Sequence, residues 1–262
     1  MFFVSKIYTM NTVLVSPLYD PDARLAKQVL NVGKKLFSIY SGKIFVSISH
    51  NTSEDTEGAL REAGIPFSVT AESISLGQNY RRAIKGGLRL NPTHIHFVDF
   101  DRALHWVERF SEELLKVDKE IEKRRGLVSF VRTRRAFESH PLIQRTTETA
   151  VNAIATEIAG IDVDIMSGSF GFDKKTAETI IGKSKRDDFG IYAEFLQIAL
   201  KHKIKITTIE VEGLEWETPD QFREKIEKEG YLAWLNEFES LPEWKKRVKL
   251  IEESAAVLTK NK

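Results

Sequence analysis

Two aspartates, Asp99 and Asp101, stand one residue apart at the end of an apolar, strand-like run at residues 94–98. Residues i and i+2 of an extended chain point to the same side, so the spacing predicts two carboxylates that face one direction. Neighbouring carboxylates repel each other unless a cation lies between them. Because Mg²⁺ is commonly held by one or two carboxylates and substrate phosphates, the pair indicates a divalent-metal site. A turn with two solvated aspartates is the alternative interpretation.

Strand-like and helix-like patterns alternate in the residues before this pair. Three β-branched runs and three stretches of helical periodicity follow one another, at residues 12–16, 24–40, 43–49, 52–63, 65–70 and 78–90. Such alternation predicts right-handed βαβ units and therefore an α/β fold, with a mainly parallel sheet flanked by helices. Ligands bind at the carboxyl ends of the strands in sheets of this kind, which is where the sequence puts Asp99 and Asp101.

The patterns after the aspartates continue this domain and then change. Helical patterns alternate with strand-like runs, at residues 107–125, 126–131, 146–159, 161–172, 189–202 and 205–211. From Pro219 onward the pattern is helical and charged. We therefore predict one α/β domain over residues 1–218 and a helical C-terminal extension over residues 219–262. The extension packs on the same domain or contributes to a homo-oligomer.

Composition excludes several classes of protein. Lys and Arg number 39 and Asp and Glu 38, so the net charge of +1 does not favour nucleic acid or an anionic membrane as a partner. The absence of cysteine excludes disulfides and a cysteine nucleophile, and it predicts a cytoplasmic protein. No apolar run approaches the roughly 18 residues of a transmembrane segment. Residues 1–9 are apolar without the features of a signal peptide, and we interpret them as an extra edge segment or as residues that precede the true start.

The order of these elements, together with Asp99-Phe100-Asp101, resembles the GT-A glycosyltransferases. It is most similar to the nucleotide-sugar-dependent transferases related to dolichol-phosphate and glycerate sugar synthases. The resemblance covers residues 12–217 and implies a GT-A-like, Rossmann-like fold. It also implies transfer of a sugar from a nucleoside diphosphate sugar to an acceptor hydroxyl. Asp99 and Asp101, the D-x-D signature of that family, would hold Mg²⁺ or Mn²⁺, which bridges the donor diphosphate.

Other positions match the donor site of this family. A proline-containing turn lies near the nucleotide after the first strand, which implies that Ser16 and Pro17 contact the donor. A glycine- and arginine-containing helix start faces the donor phosphates, which implies the same for Gly77, Arg81 and Arg82. Helix N-terminal N–H groups with an arginine form an anion site on physical grounds as well. A solvated helix face is the alternative interpretation of the two arginines.

Two further segments resemble the acceptor side and the base-binding side. Gly168 and Ser169 match a small-residue segment next to the acceptor, where glycine lets the backbone approach a sugar closely. A bent strand is the alternative there. Relatives carry an acidic residue for the nucleotide base after the second strand, whereas this sequence has His50 and Asn51. Asn51 or His50 would therefore contact the base.

Two acidic positions of the family have more than one counterpart here. The residue that orients the acceptor or takes its proton would be Asp188 or Glu194. Some relatives have a late histidine as a further metal ligand, and this sequence has none in that region. Glu215 or Glu217 would replace it, since carboxylate oxygen suits Mg²⁺ and Mn²⁺.

Three other functions remain open at this point. A haloacid-dehalogenase-like phosphatase also has an apolar strand that ends in Asp-x-Asp, and Asp187 with Asp188 would then bind its metal. A sugar nucleotidyltransferase shares the architecture but needs a glycine-rich basic loop after its first strand. A non-catalytic protein that binds a nucleotide sugar is the third. The basic run at residues 132–145 would bind an acidic or phosphorylated acceptor, form an interaction loop, or be a solvated loop.

Overall fold

The computed structural model describes residues 11–260, in which seven strands form one sheet with helices on both faces. The interpretation of residues 1–9 concerns a segment that lies outside the described residues. The strands are β1 (Thr12–Leu18), β2 (Ile44–Ile48), β3 (Phe67–Val69), β4 (His94–Val98), β5 (Leu127–Arg132), β6 (Ser169–Asp173) and β7 (Ile206–Val211). Their order across the sheet is β3-β2-β1-β4-β6-β5-β7.

Strand direction changes only around β6 in the part of the chain that the structure describes. Strands β1, β2, β3 and β4 are mutually parallel, and β5 is parallel to β7. Strand β6 runs antiparallel to β4 on one side and to β5 on the other. The predicted α/β class with a mainly parallel sheet is confirmed. The antiparallel insertion of β6 places the residues before it beside the carboxyl end of β4.

The α-helices of the described residues follow the predicted boundaries only in part. They are α1 (Ala26–Ile39), α2 (Glu54–Ala63), α3 (Leu76–Leu88), α4 (Phe100–Arg109), α5 (Ser111–Glu122), α6 (Arg134–Glu138), α7 (Leu142–Ala159), α8 (Lys174–Lys183), α9 (Ile191–Lys201), α10 (Arg223–Glu229), α11 (Tyr231–Phe238) and α12 (Leu241–Leu258). The helix predicted at residues 107–125 is wrong in its extent. Phe110, with φ −132° and ψ 45°, separates α4 from α5, and α4 begins immediately after the first aspartate.

Two buried apolar clusters, one on each face of the sheet, fix the position of β4. Side chains alternate along the strand, so Phe97 packs in one cluster with Phe170 and Phe195, and Val98 packs in the other with Trp106. All five side chains are fully buried. Close packing on both faces leaves the end of this strand little freedom, so it is a rigid support for the residues that follow.

The last helix, α12, packs against helices that cover the sheet. Helix α12 contacts α7 and α9, and its Val257 and Leu258 belong to the cluster that contains Phe97. The side chain of Gln197 donates a 3.0 Å hydrogen bond to the Leu258 carbonyl. Within residues 11–260, no helix has the length and apolar character that crossing a membrane requires.

Candidate active site

A cleft of about 540 Å³ opens at the carboxyl ends of β1 and β4. Its walls are the residues that follow β1, β2 and β4, the N-terminus of α3, and three later residues, Phe189, Gln221 and Lys246. Asp99 and Asp101 both line it. The cleft therefore lies at the edge of the sheet where ligands are expected in this class of fold.

Asp99 and Asp101 reach the cleft by a geometry that differs from the prediction. Helix α4 begins at Phe100, so Asp99 directly precedes the helix and Asp101 lies in its first turn. The rule for residues i and i+2 of a strand therefore does not describe them. Both carboxylates stand at the positive end of the helix dipole, where negative charge is favoured.

One oxygen of Asp99 has a partner and the other has none. The Tyr192 hydroxyl donates a 2.8 Å hydrogen bond to Oδ2, and the Tyr80 hydroxyl lies 3.0 Å from that of Tyr192. Oδ1 is buried without a hydrogen-bond partner. Burial raises the pKa of Asp99, and the nearby Arg102 guanidinium and the tyrosine hydroxyls offset only part of this effect.

Asp101 and Glu217 form the second part of this acidic site. Asp101 accepts hydrogen bonds from the Gln221 side chain (3.0 Å) and from the Arg102 backbone N–H (2.8 Å). Glu217 is only 6% exposed, and its Oε2 is buried without a partner. Burial, followed by the charges of Glu217 and Asp99, raises the pKa of Asp101 to about 7.

Arg102 lies between the carboxylates. Its Nε is 3.9 Å from Asp99 Oδ2 and 3.8 Å from Glu217 Oε1. Its Nη1 donates to the backbone carbonyls of Ser167 and Met166, the latter at 3.4 Å. Burial alone would lower the pKa of Arg102, but the charges of Glu217 and Asp99 outweigh it and raise that pKa. Arg102 is therefore permanently charged.

The donor set fits a divalent cation, although it is not arranged as a finished ligand cage. Among residues 11–260, no three His, Asp or Glu side chains converge closely enough to hold a metal ion as they stand. Two buried carboxylate oxygens, Asp99 Oδ1 and Glu217 Oε2, nevertheless have no partner. Burying unpaired anionic oxygen is costly, and a hard cation beside either atom would offset that cost.

Glu215, the other candidate for the late metal ligand, is already paired. It accepts a hydrogen bond from Arg135 and lies 3.2 Å from Nε2 of His105. Nδ1 of the same histidine lies 2.6 Å from Asp220. Burial alone would lower the pKa of His105, but the hydrogen bond and charge of Asp220, with Glu217 and Glu215, outweigh it and raise that pKa. These contacts leave Glu217 as the glutamate with a free oxygen at the site.

Comparisons of sequence with known proteins give little information. No protein-family model matches the sequence. An uncharacterized protein of Methanocaldococcus jannaschii is 22% identical over 214 residues, which cover 80% of this chain and 84% of that protein.

Comparison with solved structures identifies the fold. Glucosyl-3-phosphoglycerate synthase of Mycobacterium tuberculosis with Mg²⁺ and uridine diphosphate matches 77% of this chain and 69% of its own, at TM-score 0.52 and 13% identity. The same enzyme with Mn²⁺, uridine diphosphate and phosphoglyceric acid matches 77% of this chain and 68% of its own, at TM-score 0.51 and 15% identity. A mycobacterial protein matches 77% of this chain at TM-score 0.51 and 14% identity. The matched part is 65% of that protein, slightly less than two thirds of its length. This chain has the GT-A fold of nucleotide-sugar glycosyltransferases.

Some of the residues predicted on the donor side line the cleft, and others do not. Pro17 lines the cleft. Ser16 is fully buried, and its hydroxyl donates a 2.7 Å hydrogen bond to the Val98 carbonyl, so it joins β1 to β4. Asn51 is exposed outside the cleft and accepts a 2.6 Å hydrogen bond from Ser49, which does line it. Ser49, rather than Asn51 or His50, thus faces the ligand space.

Gly77, Arg81 and Arg82 do not face the donor space, contrary to the prediction. A Cβ on Gly77 would lie 2.0 Å from the Arg186 carbonyl oxygen, so this glycine permits α3 to pack against residues 186–187. Arg81 donates to the same carbonyl and to Asp187 (2.5 Å). Arg82 donates to the Ser68 hydroxyl (2.5 Å) and the Val69 carbonyl (2.7 Å) at β3. Both guanidinium groups are therefore used to hold the scaffold.

The two predicted acceptor-side acids also have internal partners. Glu194 accepts from the Ser184 hydroxyl (2.6 Å) and from the backbone N–H groups of Lys185 and Arg186, so it has no free oxygen to act as a base. Asp188 pairs with Arg186 and accepts from the Gly190 N–H at 3.0 Å, while its side chain remains 35% exposed. Neither carboxylate lines the cleft.

Gly168 and Ser169 are neighbours in sequence but have different surroundings. Gly168 has φ +68°, and a Cβ there would be 2.7 Å from Asp99 Oδ2 and 3.0 Å from Arg102 Nη1. Glycine is therefore required directly beside the acidic site. Ser169 is fully buried, and its hydroxyl lies 2.9 Å from His96 Nε2 and donates to the Phe97 carbonyl at 3.3 Å. It supports the sheet and does not reach the cleft.

Sequence reasoning missed four residues of the site, Arg102, Tyr192, Gln221 and Lys246. Arg102 could have been noticed because it follows Asp101 directly, and Gln221 because it lies four residues after Glu217. Tyr192 and Lys246 reach the site only through the packing of α9 and α12, and no local pattern indicates this.

Proposed function

We propose that this protein is a metal-dependent glycosyltransferase that moves a sugar from a nucleoside diphosphate sugar to an acceptor hydroxyl. One observation supports the proposal above all others: two carboxylates, Asp99 and Asp101, line the cleft of a GT-A fold, and Asp99 and the nearby Glu217 each have a buried oxygen without a partner. A solvated turn would not keep Asp99 and Glu217 buried without partners, because each buried anionic oxygen costs free energy.

Asp101, Glu217 and the free oxygen of Asp99 would hold Mg²⁺ or Mn²⁺. Such an ion would supply Lewis-acid stabilisation of the diphosphate leaving group. Tyr192 keeps Asp99 in place through its 2.8 Å hydrogen bond, and Gln221 does the same for Asp101 at 3.0 Å. The protein's own contribution is therefore to hold carboxylates in a partly desolvated cleft, where their attraction for a cation is strongest.

The nucleotide would lie along the turn that follows β1. Pro17 and Tyr19 line the cleft there, and the Tyr19 ring is 63% exposed and free to stack on a base. Ser49 and Asn79 supply polar groups on the same side. The N-terminus of α3 also borders the cleft, where the positive end of its helix dipole favours an anionic ligand.

The acceptor would enter from the side of Phe189 and Lys246. The mycobacterial synthase of similar fold was solved with phosphoglyceric acid, and an exposed lysine at the cleft is suited to a carboxylate or phosphate of that kind. Lys246 has only a distant partner, Glu243 at 3.5 Å. Asp188 is paired with Arg186 and does not itself line the cleft, but it is 35% exposed and precedes Phe189, which does, so we keep it ahead of Glu194 for orienting the acceptor or taking its proton.

Calorimetric titration of UDP and of GDP, with and without Mn²⁺, tests the proposal. We expect one nucleotide to bind wild-type protein only with Mn²⁺, and we expect Asp101→Asn to abolish this binding. Asp162→Asn is the matched control, because Asp162 is an exposed aspartate that does not line the cleft. Failure of both nucleotides to bind under every condition would contradict the proposal.

Two of the alternative functions, the phosphatase and the nucleotidyltransferase, receive no comparable support. Asp187 and Asp188, the metal pair of a phosphatase, are paired with Arg81 and Arg186 and do not line the cleft. The turn after β1 has no glycine-rich basic loop of the kind that a nucleotidyltransferase needs.

A further inference from the structure

Three buried polar side chains form a hydrogen-bond chain through the apolar cluster that contains Trp106. The Tyr40 hydroxyl lies 2.6 Å from Nδ1 of His96, and Nε2 of the same ring lies 2.9 Å from the Ser169 hydroxyl. All three residues are at most 2% exposed, and the His96 ring packs against Trp106 and Phe130. Polar groups are costly to bury in an apolar core, even when they are paired, so this chain indicates more than the filling of space.

The partners in the hydrogen-bond chain fix which nitrogen of His96 carries the proton. Burial lowers the pKa of His96 to about 3, so the ring is neutral and has a single N–H. Ser169 donates its own hydrogen to the Phe97 carbonyl at 3.3 Å, which leaves its oxygen to accept from Nε2–H. Among residues 11–260, the Tyr40 hydroxyl has no other acceptor, so it donates to the bare Nδ1. All three hydrogen bonds therefore run in one direction, from Tyr40 to the backbone of β4.

Ser169 directly follows the glycine that lies against Asp99. The Gly168 carbonyl accepts from the Asp99 backbone N–H at 3.2 Å, and a Cβ on Gly168 would be 2.7 Å from Asp99 Oδ2. With φ +68° and no side chain, Gly168 does not restrict the backbone by itself. Strand β6 begins at Ser169, so the sheet holds this turn from one end only. The hydrogen bond from His96 adds a second restraint at that end.

We propose that His96, in its Nε2–H form, is a positioning residue for Asp99. Its N–H holds Ser169 at the start of β6, and this keeps the Gly168 backbone against the Asp99 carboxylate. Tyr40 occupies the other ring nitrogen and so selects the form of the ring that donates to Ser169, although none of these three side chains lines the cleft. The inference rests on the proposed function, because Asp99 matters to nucleotide binding only if the cleft is a nucleotide site.

Two amide variants separate the donor to Ser169 from the other contacts of the ring. The amide nitrogen of glutamine can take the position of Nε2 and donate to Ser169, whereas asparagine is shorter and reaches only the position of Nδ1. Calorimetry of UDP and of GDP with Mn²⁺ should show binding about tenfold weaker in His96→Asn, because the turn loses a hydrogen bond. His96→Gln should bind within about threefold of wild type. Equal affinities in the two variants would overturn the inference.

Ser169→Ala covers the case in which the amide variants do not fold, because it removes one hydroxyl and leaves the His96 ring in place. Nucleotide binding with Mn²⁺ should again weaken about tenfold. Ser254→Ala is the matched control, since Ser254 is equally buried, its hydroxyl has no partner and it does not line the cleft. Its affinity should stay within about twofold of wild type. Equal affinities in these two serine variants would contradict the inference.

NMR of ¹⁵N-labelled histidine tests the donor form of His96 without any ligand. The chain has six histidines, so few ring signals need assignment. His96 should show one neutral ring with its proton on Nε2 from about pH 6 to about pH 9, and a proton on Nδ1 would overturn the inference. If wild-type protein binds neither nucleotide with Mn²⁺, the proposed function is wrong. Binding by wild type and equally by His96→Asn contradicts only the role of His96.

Discussion

Gln221 donates a hydrogen bond of 3.0 Å to Asp101, a residue 120 positions earlier in the chain. Glu217, four residues before Gln221, lies 3.8 Å from Arg102, the residue that follows Asp101. One short segment after β7 therefore contributes two groups, the anionic Glu217 and the neutral Gln221, to the acidic site at the end of β4. The acidic site depends on how firmly this segment is held against α4.

Asp101→Asn should stabilise the metal-free protein at alkaline pH. Burial, Glu217 and Asp99 raise the pKa of Asp101 from 3.8 to about 7. Such a group contributes stability that is fully present below the unfolded pKa and is lost as pH rises through the folded pKa. At a pH of about 8 the variant should therefore be more stable than wild type by roughly 1–3 kcal/mol, measured by urea unfolding. The difference should shrink as pH falls towards 4, and a constant difference would contradict the explanation.

His105→Ala should loosen the segment that carries Glu217. Both ring nitrogens of His105 face carboxylates, those of Asp220 and Glu215, so the ring donates from both sides when it is cationic. Its raised pKa means that this stability is fully present below the usual value of 6.5 and is lost as pH rises through the folded pKa. We expect a loss of about 1–3 kcal/mol near pH 6 and a smaller loss near pH 9, by chemical denaturation.

His202→Ala is the control for this prediction, because His202 is an exposed histidine at the C-terminal end of α9. It should change stability by less than about 0.5 kcal/mol at either pH. Mn²⁺ affinity should fall in the His105 variant and remain unchanged in the control. An unchanged Mn²⁺ affinity in both would show that His105 does not position Glu217.

Gly168→Ala and Gly160→Ala separate backbone strain from steric effects at the site. Both glycines have left-handed backbone, with φ +68° and +69°, so each substitution should cost about 1–2 kcal/mol. A Cβ at Gly168 would also lie 2.7 Å from Asp99 Oδ2, whereas nothing lies within 4 Å of one at Gly160. Calorimetry should show loss of Mn²⁺-dependent nucleotide binding only in Gly168→Ala. Equal binding by the two variants would contradict the close approach.

Arg132→Ala should destabilise the fold far more than Arg134→Ala. Arg132 is completely buried and paired with Glu148 and Asp164, so its removal leaves two buried carboxylates without their cation. A loss of about 3–5 kcal/mol is expected in denaturant unfolding. Arg134 is 89% exposed and pairs only with Glu138, so its loss should cost less than about 1 kcal/mol. Similar losses would indicate that the buried network is not the source of stability.

Local patterns in the sequence were sufficient for the fold and for the location of the cleft. Hydrophobic periodicity depends on neighbouring residues, so the alternation before Asp99 predicted β1 to β4 and the edge of the sheet where the site lies. The same local rule failed at Asp101, because α4 begins one residue before it and turns the chain. The break at Phe110 was missed for a similar reason, since α4 and α5 have nearly continuous helical patterns.

Side-chain roles were harder to predict because their partners are distant in sequence. Arg81 was expected at the phosphates, but its acceptors, the Arg186 carbonyl and Asp187, lie more than 100 residues later. Glu194 was expected to act on an acceptor, yet it binds the backbone of the loop before its own helix. A charged residue near a motif has many available partners, and only the packed structure selects among them. Glu217, one of two glutamates predicted as a late metal ligand, lies 3.8 Å from Arg102, and its role as a ligand stays a prediction. Arg102 itself was not predicted as part of the site.

The strand order also determines when the protein can assemble during synthesis. Strands β3, β2, β1 and β4 are neighbours that come from residues 12–98, so this half of the sheet can pair early. The cluster behind Phe97 needs Val257 and Leu258, which are translated about 160 residues later. At ribosomal rates, this face of β4, which α3 covers in part, therefore gains its last partners on the order of ten seconds after β4 is made. The apolar surface left exposed in that interval is of the kind that makes partly folded chains prone to aggregate.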